Sequence, residues 1–283
     1  MLGDHASDIS EGLQQPLIPL LPEGQLPAGD PVGRQVAMHL LLNLFRGPLP
    51  IRSRATVVLP RDPEDHDDSA RFFTRVLGLL NCESTLLAAP LAVLLAELGQ
   101  DQFSGVSLTF GAGQLAACVA RRGIVLAQVQ VPFGGDWIDF QLAESLGHFR
   151  WDTDGHRYLD LASAGRWKSS PDRSLMNVKS EADETLRELY VKSLDELCRA
   201  LAAEVESASV AAMLDTTLPL VCHGGGTQIG GFVELLLDRW KRIGVDLPVS
   251  TIRRSTHGDW AVARGCLIHQ ELEVIRPRVP SAA

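Results

Sequence analysis

Two glycine turns hold the residues of this chain best suited to chemistry: Gly111-Ala112-Gly113-Gln114 and Gly224-Gly225-Gly226-Thr227. Each follows a short apolar run of strand character, Gly105 to Phe110 for the first and Leu218 to Cys222 for the second. Glycine bends a backbone sharply and lets a phosphate or a base reach the main-chain N–H groups, because no Cβ stands in the way. One such turn says little, but two, each closing a strand, point to a split nucleotide cleft. His223 sits beside the second turn, where it either meets a base or ribose or simply ends a strand; His257, before Gly258, reads as a loop residue. No His-Glu-x-x-His, Cys-x-x-Cys or Gly-x-Ser-x-Gly pattern occurs, so zinc and serine-hydrolase chemistry have no support.

Two acidic stretches have the wrong ligand spacing for a calcium loop. Asp62 to Asp68 reads as a solvated loop leading into a helix N-terminus, where carboxylates meet the positive end of the dipole. Asp152-x-Asp154-Gly155 reads as a hairpin turn between Phe149-Arg150-Trp151 and Tyr158-Leu159-Asp160-Leu161.

The elements that position these turns follow from periodicity and punctuation. Residues 1–30 read as mostly irregular, with one apolar patch from Leu17 to Leu21. Asp30-Pro31 is a good cap and first residue for a helix to about Phe45, stopped by Gly47-Pro48. Arg54 to Leu59 is a strand, a helix runs from Ser69 to about Leu80, and Thr85-Leu86-Leu87 is a short strand. Pro90 then opens a helix through Leu98 that Gly99 closes. Strands at 105–110, 115–120 and 124–131 lie in succession, and Asp136 starts a helix to about Leu146. Residues 162–180 read as polar and turn-rich. A long helix spans Glu181 to Ser207, a turn or helix lies around Val210 to Leu214, and a strand covers 218–222. Helices from Gly231 to Ile243 and Asp259 to His269 flank a strand near Val249 to Arg253. Alternating helices and strands with one antiparallel run imply an α/β fold, a mixed sheet with helices on both faces.

Composition narrows the classes further. A chain of 283 residues, 45% of them hydrophobic, can bury a sizeable core. A net charge of −9 argues against a nucleic-acid partner, which would call for a basic stripe. No apolar run is long enough to span a membrane; Leu86 to Leu98, the most apolar stretch, is short and contains Glu97. The N-terminus lacks signal-peptide order, and the five scattered cysteines read as buried thiols of a cytoplasmic protein. Trp137, Trp167, Trp240 and Trp260 read as core or subunit-contact residues, and Lys241-Arg242 and Arg253-Arg254 as surface.

The run from Gly105 to Gly113, the hairpin after it and Gly134-Gly135-Asp136-Trp137-Ile138-Asp139 resemble the second phosphate hairpin and first connecting helix of the actin-like ATPase superfamily, which includes actin, MreB and the Hsp70 ATPase domain. Leu220 to Thr227 with Gly230 resembles its adenosine motif, and Asp259 to Gly265 resembles its second connecting helix, as in MreB. The resemblance covers about residues 31–275 in element order. It implies a duplicated ribonuclease-H-like fold in two lobes: an incomplete first lobe at 1–104, and a second at 105–283 with an insertion at about 148–180. It also implies ATP or ADP with Mg²⁺ between the lobes, bound by Gly111, Ala112, Gly113, Gln114, Gly135, Asp136, Gly224, Gly225, Gly226 and Thr227. Lys179 and Glu181 would face the adenine, or else mark a solvated helix start.

Three departures from the family pattern imply a damaged cleft. Residues 1–30 contain no strand followed by the Asp-x-Gly turn of the first hairpin. Thr109 stands where the second hairpin usually has a metal-orienting Asp, and Ala88-Ala89-Pro90 replaces the Glu-Glu-Pro that supplies the acid for the attacking water. Together these remove metal coordination and water activation, each commonly worth several kcal/mol in the transition state. The expectation is a degenerate MreB- or actin-like protein, a scaffold or filament-associated factor that binds adenine nucleotide weakly or not at all and does not hydrolyse it efficiently. A self-associating or protein partner, no nucleic acid and no catalytic or metal-ligating residue are expected. The alternative is an active MreB- or Hsp70-type ATPase whose first hairpin lies upstream of this sequence.

Overall fold

The computed structural model describes residues 6, 9, 12–13, 18–22, 25–27, 29–45, 49–59, 68–214 and 216–275. The first regular element, α1 (Pro31–Leu44), begins as the sequence dictates: the Asp30 carboxylate accepts the Gly33 N–H at 2.8 Å, and Pro31 takes the first helical position. Then come β1 (Arg54–Leu59), α2 (Asp68–Leu79), β2 (Glu83–Ala88) and α3 (Ala89–Glu97). Strands β1 and β2 pair in parallel with α2 as the crossover.

A second sheet forms from β3 (Gly105–Phe110), β4 (Leu115–Arg121), β5 (Ile124–Val131), β8 (Leu218–His223) and β9 (Val249–Arg254). Its order is β5-β4-β3-β8-β9. The first three strands are antiparallel to their neighbours, while β8 and β9 run parallel to β3. Between them run α4 (Gly135–Ser145), the hairpin of β6 (Phe149–Trp151) and β7 (Arg157–Leu159), α5 (Leu161–Lys168) and α6 (Glu181–Ser207). Helix α7 (Phe232–Ile243) links β8 to β9, and α8 (Ala261–Ile275) follows β9 after a short 3-10 turn at Gly258–Trp260.

Strand alternation sends side chains to opposite faces of the five-stranded sheet. Val106, Leu108, Phe110, Leu220 and Cys222 enter the main core with α6 and α7, joined by Leu186, Tyr190, Leu194, Phe232 and Leu236. On the other face Cys118, Ala120 and Val221 pack against Val93, Leu94 and Leu98 of α3. Helix α3 is therefore almost entirely buried, packed on the sheet by one side and on α8 by another. The approach of α8 is close: a Cβ on Gly265 would lie 1.8 Å from the Ala92 carbonyl oxygen. The same helix reaches the small sheet, where the Gln270 amide donates to the Thr56 and Thr85 hydroxyls at 2.8 and 2.6 Å.

The mixed α/β architecture expected from the sequence is present, with helices on both faces. Several local readings need correction. Asp160 and Leu161 do not extend the hairpin; Asp160 caps α5 by accepting the Ser163 N–H, so residues 161–168 of the expected loop are helical. Of the tryptophans read as core or subunit-contact residues, Trp240 is buried and Trp260 is 78% exposed, which removes only the core alternative for Trp260. Arg253 and Arg254 are partly buried and bonded, not a free surface cluster, whereas Lys241 and Arg242 are exposed. All five thiols are free and four are buried. Among the described residues no helix is long and apolar enough to cross a membrane. The expected lack of an opening hairpin concerns residues 1–30, and most of these, like the acidic run before Asp68, lie outside the described residues.

Candidate functional site

The two glycine turns lie against each other because their strands are neighbours. β3 and β8 pair in parallel, with Thr109 opposite His223, so both turns leave the same end of the sheet. Gly224 has φ +105°, and a Cβ there would lie 2.3 Å from the Phe110 carbonyl oxygen, so glycine is required by both conformation and space. A Cβ on Gly226 would meet the Phe110 ring at 2.5 Å. Phe110 is itself fixed between Tyr190 and Phe232, with ring centroids 5.3 and 6.0 Å away. The Tyr190 hydroxyl, buried among these rings, donates to the Gly226 carbonyl at 3.1 Å and holds the turn from below. Thr227 closes it by donating its hydroxyl to the Gly224 carbonyl at 2.8 Å.

The first turn is braced from the other side. Its Gly111 N–H bonds the Gln114 carbonyl, leaving the Ala112 and Gly113 N–H groups at the tip. Gly135 and Asp136, opening α4, donate their N–H groups to the Gly111 and Ala112 carbonyls at 2.9 and 2.8 Å. Gly134 permits this docking, since a Cβ there would overlap the Ala112 oxygen and the Gln114 nitrogen at 2.2 Å. Gly225 is different: nothing lies within 4 Å of where its Cβ would be. Gly111, Ala112, Gly113, Gln114, Gly135, Asp136, Gly224, Gly225, Gly226 and Thr227 thus form one cluster around the ends of β3 and β8. Two adjoining glycine turns, one with an open position at Gly225, can hold an anion on their backbone N–H groups.

The same end of the sheet gathers the positions where acids were expected. Ser107 donates its hydroxyl to the Pro90 carbonyl at 2.6 Å, which fixes the N-terminus of α3 on this face. Thr109 and His223 lie two residues beyond Ser107 and Val221, so their side chains leave the sheet on the α3 face, and the Thr109 hydroxyl donates to the Ala116 carbonyl at 3.5 Å. The donors at the strand ends are a threonine hydroxyl and an imidazole. Mg²⁺ is a hard cation that prefers carboxylate and other oxygen ligands, so the two strand ends by themselves do not fit a resident Mg²⁺; the carboxylate in this cluster is that of Asp136, at the start of α4.

Sequence reasoning missed three features. The Lys168 ammonium, in a stretch read as loop, bonds the Gly135 carbonyl at 3.1 Å and the Asp139 carboxylate at 2.7 Å. Burial raises the Asp139 carboxyl, partly offset by Lys168. The second is Tyr190, which looked like any core residue of a long helix. The third is Glu97, whose side chain is 0% exposed. It accepts from Arg253 Nη1 at 2.7 Å, the Ser255 hydroxyl at 2.6 Å, the Thr256 hydroxyl at 3.0 Å, and the Thr256 and His257 N–H groups at 2.9 Å each; His257 Nδ1 lies 2.9 Å away. Burial alone would raise this carboxyl, but the hydrogen bonds from Ser255, Arg253 and His257 overcome it and hold it well below the usual carboxylate range. A lone charge inside the apolar run from Leu86 to Leu98 was the available signal. His223 ends β8, is half-buried, and takes no hydrogen bond to its ring from the described residues. Lys179 and Glu181 are exposed at the start of α6, where the Lys179 N–H bonds Asp183.

Comparison with known proteins places the chain. The Volactin family model matches residues 1–270. The chain belongs to the Volactin family. No curated protein matches it at sequence level. Solved structures share the fold of this Volactin-family chain. MreB5 of Spiroplasma citri bound to AMPPNP superposes with a TM-score of 0.69 at 13% identity, over 97% of this chain and 85% of that one. MamK in a double helical filament gives 0.62 at 16% identity, over 96% and 85%. The ethanolamine utilization protein EutJ of Carboxydothermus hydrogenoformans gives 0.55 at 17% identity, over 89% and 78%. The fold is thus that of the actin/MreB superfamily, as the motif resemblance implied.

Proposed function

We propose that this Volactin-family chain is an actin-like assembly protein that takes an adenine nucleotide at its paired glycine turns and does not hydrolyse it efficiently. The observation that carries this reading is the meeting of the two turns at Phe110, with Thr109, Ala88 and Ala89 where a hydrolytic site would need acids. The turns keep what phosphate binding calls for, glycine backbone with room at Gly225. They lack what in-line attack requires, a metal-holding carboxylate and a base to orient water. The nucleotide then acts as a ligand that fixes the conformation around α3 and α8.

Two further points support assembly. The fold relatives include MamK as a filament, and MreB5 was crystallised with AMPPNP and with ADP. Trp260 and Leu267, 78% and 69% exposed, put large apolar side chains on the outside of the α8 region, which suits a subunit or partner contact in the cytoplasm. High-speed pelleting of the purified chain with ATP, with ADP and without nucleotide, alongside phosphate release, tests the reading. Nucleotide-dependent sedimentation with phosphate release at the background rate is expected. Metal-dependent turnover would overturn the non-hydrolytic part. A monomer at every protein concentration and nucleotide would overturn assembly.

A further inference from the structure

The strand-end pair Thr109 and His223 carries a step beyond nucleotide binding in general. These residues face each other across parallel β3 and β8 and project on the same side of the sheet, next to the tips of both glycine turns. Among the described residues neither strand end carries a carboxylate. The acids that act on His223 are Glu97, saturated by its ring of donors, and Asp259, exposed in the 3-10 turn before α8. What is offered is a half-buried imidazole whose nitrogens have no hydrogen-bond partner among the described residues. Burial lowers its proton affinity, with Glu97 and Asp259 pulling the other way. A half-buried imidazole without a protein hydrogen-bond partner, beside two adjoining glycine turns, suits an anion.

We propose that His223 is a phosphate-binding residue, and that the chain holds a nucleoside diphosphate through its glycine-turn N–H groups and this imidazole without a divalent metal. In a site built around a metal, the cation offsets phosphate charge and a carboxylate holds the cation. Here an Asp would repel the phosphate once the metal is gone, whereas Thr109 contributes only a neutral hydroxyl. His223 supplies a ring N–H directly and becomes a stronger partner when the phosphate draws a proton onto it. Replacing the acid with Thr and carrying His on the adjacent strand are therefore two parts of one change.

This inference rests on the nucleotide-binding reading, and the test separates the two. ADP is titrated calorimetrically into the full chain with Mg²⁺ and again with EDTA, for the wild type, His223→Ala and His223→Gln. Folding of each variant is checked by its melting transition. The expected result is an affinity that changes less than about threefold on metal removal. His223→Ala should weaken it about tenfold, and His223→Gln, which keeps a neutral donor, should fall between. Binding that appears only with Mg²⁺, or that His223→Ala leaves unchanged, overturns the proposal and leaves nucleotide binding standing. No ADP binding in either buffer overturns both.

Discussion

Glu97→Gln tests how α3 is tied to the rest of the molecule. The substitution keeps shape and volume, so the core around Leu94 and Leu98 is undisturbed. It removes the charge and turns one carboxylate oxygen into an amide donor. Whichever oxygen is lost, the amide then faces existing donors: Arg253 and the Thr256 hydroxyl on one side, or Ser255 and the Thr256 and His257 N–H groups on the other. Removing one partner of a buried ion pair commonly costs about 3–5 kcal/mol. Arg253 is 37% exposed and can turn to water, so the lower end applies, about 3 kcal/mol. At roughly 2–4 °C per kcal/mol for a chain of this size, melting should fall by roughly 6–12 °C. The pH dependence has a definite sign. A carboxyl held below its unfolded value contributes stability that is present above the unfolded range, near about 4.3, and lost as pH falls from there toward the folded value. The gap between wild type and variant should therefore be full at neutral pH and narrow below about pH 4. Thermal melts of both proteins at several pH values supply the comparison. A variant within about 1 kcal/mol of the wild type at neutral pH, or a gap that widens on acidification, would refute the reasoning.

Other substitutions probe neighbouring features. Gly265→Ala places a methyl against the Ala92 backbone and should destabilise by about 1–3 kcal/mol, seen as a lower urea midpoint; an unchanged midpoint would mean α3 and α8 are not in close contact. Gly225→Leu enters open space, so the melting temperature should hold while ADP binding is lost; full binding by this variant would move the ligand elsewhere. Thr109→Asp should make ADP affinity depend on Mg²⁺ by about fivefold or more, read by calorimetry in matched buffers, and no metal response would show that this position does not face the phosphates.

Much of the architecture was legible because its signals are local. Asp30-Pro31 marks a helix start through a bond that needs no tertiary context, and the apolar run from Gly105 to Phe110 is buried on both faces in β3. The glycine turns were legible for the same reason: strand followed by glycine is a short-range pattern. What the sequence hid depends on distant partners. Glu97 bonds residues from Arg253 to His257, and Arg253 reads as a surface charge in the sequence because its partner lies on a distant helix. Lys168 fell in a stretch rich in Ser, Asp and Arg that masks α5, whose start depends on the Asp160 cap rather than on apolar spacing. Trp260 reads in the sequence as core or as subunit contact, and its 78% exposure in the fold removes the first of these.

The central claim is that Gly111–Gly113 and Gly224–Gly226 grip one nucleotide between them. A crystal structure of the chain grown with saturating ADP tests it most directly. The account predicts the diphosphate between the Ala112 and Gly113 N–H groups and the Gly225 turn, with the imidazole of His223 turned to it. A nucleotide bound on another surface, or these turns empty at saturation, would contradict it.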